Sequence, residues 1–164
     1  FNRWFPQFWL ISLASTIDMM TLAAFAPGVL PYIYDKETVT ITTGVVLRTN
    51  LYLVLVNAFS MAGSVTGRCV SYRLKYRHPM TYSIFTITGV ALILMFVPAL
   101  VPLGLFLVQA GDGLIYGTIC KYIDTSVPKQ FNLIAISFWL FVGDIGSIIG
   151  SNLIYSIKIR AGSL

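Results

Sequence analysis

Four charged residues stand inside long apolar stretches of this chain: Asp18, Arg48, Asp112 and Asp144. A charge in hydrocarbon costs at least ~2.5–3.5 kcal/mol on insertion scales. Each therefore has to face a protein interior, water or a partner. Carboxyls so placed can carry protons or accept hydrogen bonds from a substrate's hydroxyls; a buried ion pair that only fixes packing is the other reading. Asp18 and Arg48 are candidates for proton carriage or ion pairing, and Arg48 can also snorkel outward along its stem.

Spacing groups the remaining polar residues around these charges. Ser137, Asp144, Ser147, Ser151 and Tyr155 recur at steps of seven, three, four and four, a single polar stripe on an otherwise apolar helix. Asn50, Asn57, Ser60, Ser64 and Arg68 share one face of a second helix, and Gln109, Asp112 and Tyr116 lie on a third. One such stripe could be helix-to-helix glue, whereas three favour a polar path between helices. The glycine pairs Gly63-x-x-x-Gly67, Gly113-x-x-x-Gly117 and Gly146-x-x-x-Gly150 have a plainer meaning. Glycines one turn apart let helices approach closely, so tight packing is their default reading.

No catalytic constellation accompanies the stripes. The lone histidine, His78, lies in a basic loop beside Pro79 and reads as a solvated residue. There is no phosphate-cradling glycine loop followed by Lys-Ser/Thr, no H-E-x-x-H and no nucleophile elbow. Cys69 and Cys120 belong to no C-x-x-C or Cys/His set, so neither a metal site nor a disulfide framework is indicated. The expectation is a protein that is not an enzyme and needs no cofactor.

The elements that carry these residues follow from hydropathy. Hydrophobic residues make up 57% of 164 and charged residues only 10%. A soluble domain carries about a quarter charged residues. Five apolar blocks of membrane-crossing length, about 20 residues, run over approximately 5–34, 40–67, 79–101, 102–122 and 131–157. Backbone groups in hydrocarbon must pair internally, and the blocks lack the short alternation of a membrane barrel, so all five are expected to be helices. Pro27 and Pro31 should kink or end the first. The net charge of +5 resides mostly between blocks, which speaks for membrane topology rather than nucleic acid.

Seven basic residues, Arg3, Arg68, Arg73, Lys75, Arg77, Lys121 and Lys129, fall on one side of a five-helix arrangement, against Lys36, Lys158 and Arg160 opposite. The positive-inside rule puts the first group in the cytoplasm. The sequence starts at Phe1 without the layout of a cleavable signal, and the expectation is a piece of a longer polytopic protein.

Read in order, short motifs resemble the C-terminal half of the equilibrative nucleoside transporter family. Phe25-Ala26-Pro27-Gly28-Val29 is similar to that family's Phe-Pro-Gly-Val ending helix seven, and Gly67-Arg68 before a basic loop is similar to the end of helix eight. Phe96-Val97-Pro98 matches a motif of helix nine, Gly111-Asp112-Gly113 stands where Ser-Asn-Gly is frequent in helix ten, and Gly146-x-x-x-Gly150-Ser151 resembles the glycine pair of helix eleven. A departure occurs four positions before Arg68, where the family carries an acid and this chain has Ser64. Asp112-Gly113-Leu114 with Gly117, then Gly143-Asp144, also resembles the battenin family of lysosomal membrane proteins.

The resemblance implies an all-α, major-facilitator-like bundle of which this chain is the five-helix second half. A six-helix N-terminal half would lie in the same or another chain. It implies transport of nucleosides or nucleobases by alternating access, with Arg68, Ser64, Asn57, Asp112 and Asp144 as substrate-binding candidates. The plasma membrane is favoured, and an internal membrane fits the battenin likeness. The alternative function is that of a non-transporting accessory subunit of a large membrane complex, for which the missing acid at Ser64 speaks.

Overall fold

The computed structural model describes residues 5–25, 36–42, 44–74 and 79–161. Five helices account for most of them: α1 (Phe5–Phe25), α2 (Thr49–Arg73), α3 (Ser83–Leu94), α4 (Val101–Ser126) and α5 (Asn132–Ala161). A hairpin of β1 (Thr38–Thr42) and β2 (Val45–Arg48) precedes α2, and 3-10 turns at Pro79–Thr81 and Lys129–Phe131 lead into α3 and α5. Four helical segments are long and apolar enough to cross a membrane: Phe8–Phe25, Thr49–Arg73, Val101–Ser126 and Lys129–Ile154. The chain is an all-α membrane protein. Its outer surface carries Val54, Met61, Ile84, Leu133 and Ile148, all exposed, as lipid-facing helices require.

Within these helices hydroxyls satisfy themselves along their own backbone. Ser12 Oγ donates to Phe8 O, Thr16 Oγ1 to Ser12 O and Thr118 Oγ1 to Leu114 O, at 2.7–2.9 Å. In hydrocarbon such back-bonding removes the need for water.

Two helix seams are set by glycine. A side chain at Gly63 or Gly67 would run into the α4 backbone at Phe106 and Ala110. In return, one at Gly113 would meet Arg68 N at 2.7 Å and Ser64 O at 2.8 Å. Gly146 and Gly150 of α5 lie on the α1 backbone at Thr16 and Met20 in the same manner. All three glycine pairs thus serve close packing, as expected. The matched order of contacts makes α2 parallel to α4, and α1 parallel to α5. Gly89 and Gly104, and Thr86 and Gly111, pair in reverse order, so α3 runs back between α2 and α4.

Several expected boundaries differ; α2 and α4, for instance, run on to Arg73 and Ser126 rather than ending near 67 and 122. The second block was expected to be helical from 40, yet Thr38–Arg48 forms the hairpin. An unbroken run of β-branched residues, Thr38–Thr42, suits a strand, and Gly44 at φ 102° supplies the turn. Val39 is buried, and Thr49 N–H donates to Glu37 O at 3.0 Å, closing the hairpin onto α2. The third block, expected to cross over 79–101, is helical only to Leu94. Twelve residues rise about 18 Å, short of the ~30 Å hydrocarbon layer. The chain turns at Phe96, which has φ 53°, and Pro98 cannot continue a helix; Tyr52 Oη donates to Pro98 O at 2.8 Å and anchors the turn. The last helix runs on to Ala161 rather than ending near 157. The expected break at Pro27 and Pro31 lies outside the described residues.

Two apolar cores occupy the two ends of the bundle. One joins Phe8, Ile11, Ile115, Ile119 and Trp139; the other joins Phe25, Tyr52, Val56, Ile93 and Leu105. The polar residues described next lie between them.

Candidate functional site

The site starts from α1. Ser12, Ser15, Asp18 and Thr21, at steps of three, are all buried, so the middle of an apolar helix carries a polar run on its interior face. Asp18 is 2% exposed and accepts a hydrogen bond from Thr86 Oγ1 of α3 at 3.2 Å. Thr86 is positioned by Gly111, where a Cβ would strike its side chain. One residue further along α4, Asp112 is 6% exposed, and its carboxyl faces that of Asp18 closely enough for the two to act on each other. The field of Arg68 acts on Asp112 from α2. Thus α1, α3 and α4 each bring one buried side chain to the same point, and Arg68 of α2, itself exposed, acts on it from the side.

Arg68 is placed by the glycine seam, with its backbone level with Gly113, midway along α4. Although only five residues before the C-terminal end of α2, it is level with the middle of α4. Its guanidinium lies 5.2 Å over the Tyr116 ring, a cation–π contact. Tyr116 in turn packs against Trp139 of α5, centroids 5.2 Å apart. Trp139 Nε1 donates to Ser15 Oγ at 2.7 Å, which returns the chain of contacts to α1, one turn before Asp18.

Of the expected residues, Asp18, Arg68 and Asp112 are brought together. Ser64 is half-buried and offers its backbone carbonyl to the seam at Gly113. Asn57 is exposed on α2, on the same flank as Ser64 and Arg68. Asp144 is exposed, while the buried face of α5 is Trp139, Gly143, Gly146 and Gly150. Arg48 is not in a helix; it pairs with Thr38 across the hairpin and is exposed. The α2 and α4 stripes meet at Arg68 and Tyr116, whereas α5 joins them through Trp139 rather than through its Ser/Asp stripe.

Thr86, Ser15 and Trp139 escaped the sequence reading. The i, i+3 run of Ser12, Ser15, Asp18 and Thr21 was a visible signal for Ser15. Nothing local marks Thr86, a threonine on a helix that carries others.

Among the described residues no group of three His, Cys, Asp or Glu side chains could hold a metal ion. Comparison with models of known families, with characterised proteins and with solved structures finds no match to this chain.

Proposed function

We propose that this chain is part of a transporter that moves nucleosides or nucleobases through the membrane by alternating access. The observation that carries the reading is the Asp18–Thr86–Asp112–Arg68 cluster, drawn from four helices and lying between two apolar cores. Intramembrane polar residues are expensive, and mid-bundle clusters of them are where transporters bind substrate and coupling ions. The likeness to the equilibrative nucleoside transporters, motif by motif and in register, supplies the substrate class.

In this reading the flank formed by Asn57, Ser64, Arg68 and Tyr116 faces the six-helix N-terminal half of the transporter, with substrate between. Arg68, resting on the Tyr116 ring, donates to substrate carbonyl or hydroxyl oxygens, Asn57 and Ser64 add neutral hydrogen bonds, and Asp112 is the carboxyl whose field reaches Arg68. Ser64 leaves the arginine without an acid one turn earlier on its own helix, and Asp112 supplies that charge from α4 instead. Rocking of one half about the other would open this flank to each side in turn.

The test is uptake of radiolabelled nucleosides and nucleobases by the full-length protein in cells lacking their own transport. Saturable uptake that falls at least tenfold in Arg68→Ala supports the assignment. Correctly inserted protein that moves none of these compounds, and co-purifies with a stable set of membrane partners, favours the accessory-subunit reading instead.

A further inference from the structure

Asp18 and Asp112 come from different helices, both are more than nine-tenths buried, and their carboxyls face each other beside Thr86, where they can meet only through a shared proton or as two like charges. A hydrogen bond between two carboxyl groups contains a proton belonging to one of them, since an ionised carboxylate is acceptor-only. Thr86 Oγ1 supplies Asp18 with a donor. Among the described residues no N–H or hydroxyl donates to Asp112, so a proton on the pair is the donor open to it. Two anions in contact inside a membrane bundle would repel strongly.

We propose that the Asp18–Asp112 pair is a proton-binding site, and that its loading and unloading is coupled to substrate movement. The coupling rests on the transporter reading; the proton site does not. The groups around the pair give the coupling a route. Arg68 faces it from α2, Thr86 from α3, and Tyr116 and Cys120 line the Arg68 side from α4; α5 brings Trp139, which does not titrate. When the proton leaves, the pair gains one negative charge, and Arg68 is the cation in reach to balance it. Arg68 is then drawn off the Tyr116 ring toward Asp112, away from the flank where substrate binds. When the proton returns, Arg68 is released to the ring and to substrate. One proton taken up or released thus alters the side chain that recognises the cargo.

The experiment is infrared difference spectroscopy of the full-length protein in lipid nanodiscs, between alkaline and acidic buffer. A protonated-carboxyl C=O band should appear in the wild type, vanish in both Asp18→Asn and Asp112→Asn, and persist in Asp124→Asn, an exposed acid at the end of α4. The amide is isosteric and keeps a donor for its neighbour, so folding is preserved. A band unchanged in both pair variants overturns the proposal. In vesicles, an inward proton gradient should drive accumulation of labelled uridine or adenosine by the wild type but not by Asp18→Asn or Asp112→Asn. Uptake indifferent to the gradient overturns the coupling. Absence of any uptake, with the band lost in both variants, supports the proton site and overturns the transporter reading alone.

Discussion

Asp112 is buried facing a carboxyl 94 positions away in the chain, that of Asp18. Removing one member of such a pair strands the other in an apolar surround, at a cost of about 1–3 kcal/mol. Asp112→Leu should therefore lower the unfolding temperature of the detergent-solubilised protein, while Asp112→Asn leaves it near wild type. Equal melting of wild type and Asp112→Leu would mean that the two carboxyls do not meet. A second residue-scale test concerns the Trp139–Ser15 hydrogen bond at 2.7 Å. Trp139→Phe and Ser15→Ala should each destabilise by about 0.5–1.5 kcal/mol, and the double variant by less than the sum, because both delete the same bond. Strict additivity in that cycle would count against the contact.

At the scale of elements, the glycine seams decide how close the helices come. At Gly67 a new Cβ would meet the Ala110 backbone, which cannot swing away as a side-chain tip can. Gly67→Leu should thus separate α2 from α4 and abolish the folded state, seen as loss of a monodisperse peak after solubilisation. Gly44 offers the contrast. It has open space around it but a φ of 102°, so Gly44→Ala should cost only its backbone strain, about 1–2 kcal/mol. A fold that tolerates leucine at Gly67 would refute the seam. Lys121 ties the same two helices at their far end, its ammonium donating to the carbonyls of Ser71, Tyr72 and Leu74 at 2.5–3.2 Å. A cation at a helix C-terminus satisfies carbonyls that have no intrahelical donor.

For the whole molecule, the contact order makes the helices alternate: α1, α3 and α5 run one way, α2 and α4 the other. The hairpin and the end of α2 then lie on opposite faces of the bundle, and the basic cluster marks the second as cytoplasmic. With Cys69 and Cys120 replaced by serine, a membrane-impermeant maleimide added to intact cells should label Thr42→Cys but not Arg73→Cys. The reverse pattern would invert the orientation, and labelling of both would remove the alternation.

Membrane residence, helical class and the four long spans were legible in the sequence because hydrocarbon forces them: about 20 apolar residues with internally paired backbone have few other solutions. The glycine pairs were legible as contact surfaces for the same kind of reason, since only missing side chains permit such approach. Which partner each glycine meets could not be read, because any of the other helices offers a comparable backbone. The hairpin was hidden inside an apolar run, where Val39 and Ile41 suit a buried strand as well as a helix. The short α3 was hidden by its hydropathy, which does not stop where its hydrogen bonds do. Asp18 and Asp112 announced themselves singly, as charges that had to face inward. Their meeting, with Thr86 between helices and Arg68 leaning on Tyr116, was decided only by tertiary structure. Local spacing sets the face a residue occupies on its own helix, but the depth and rotation of one helix against another come from the packing of whole seams.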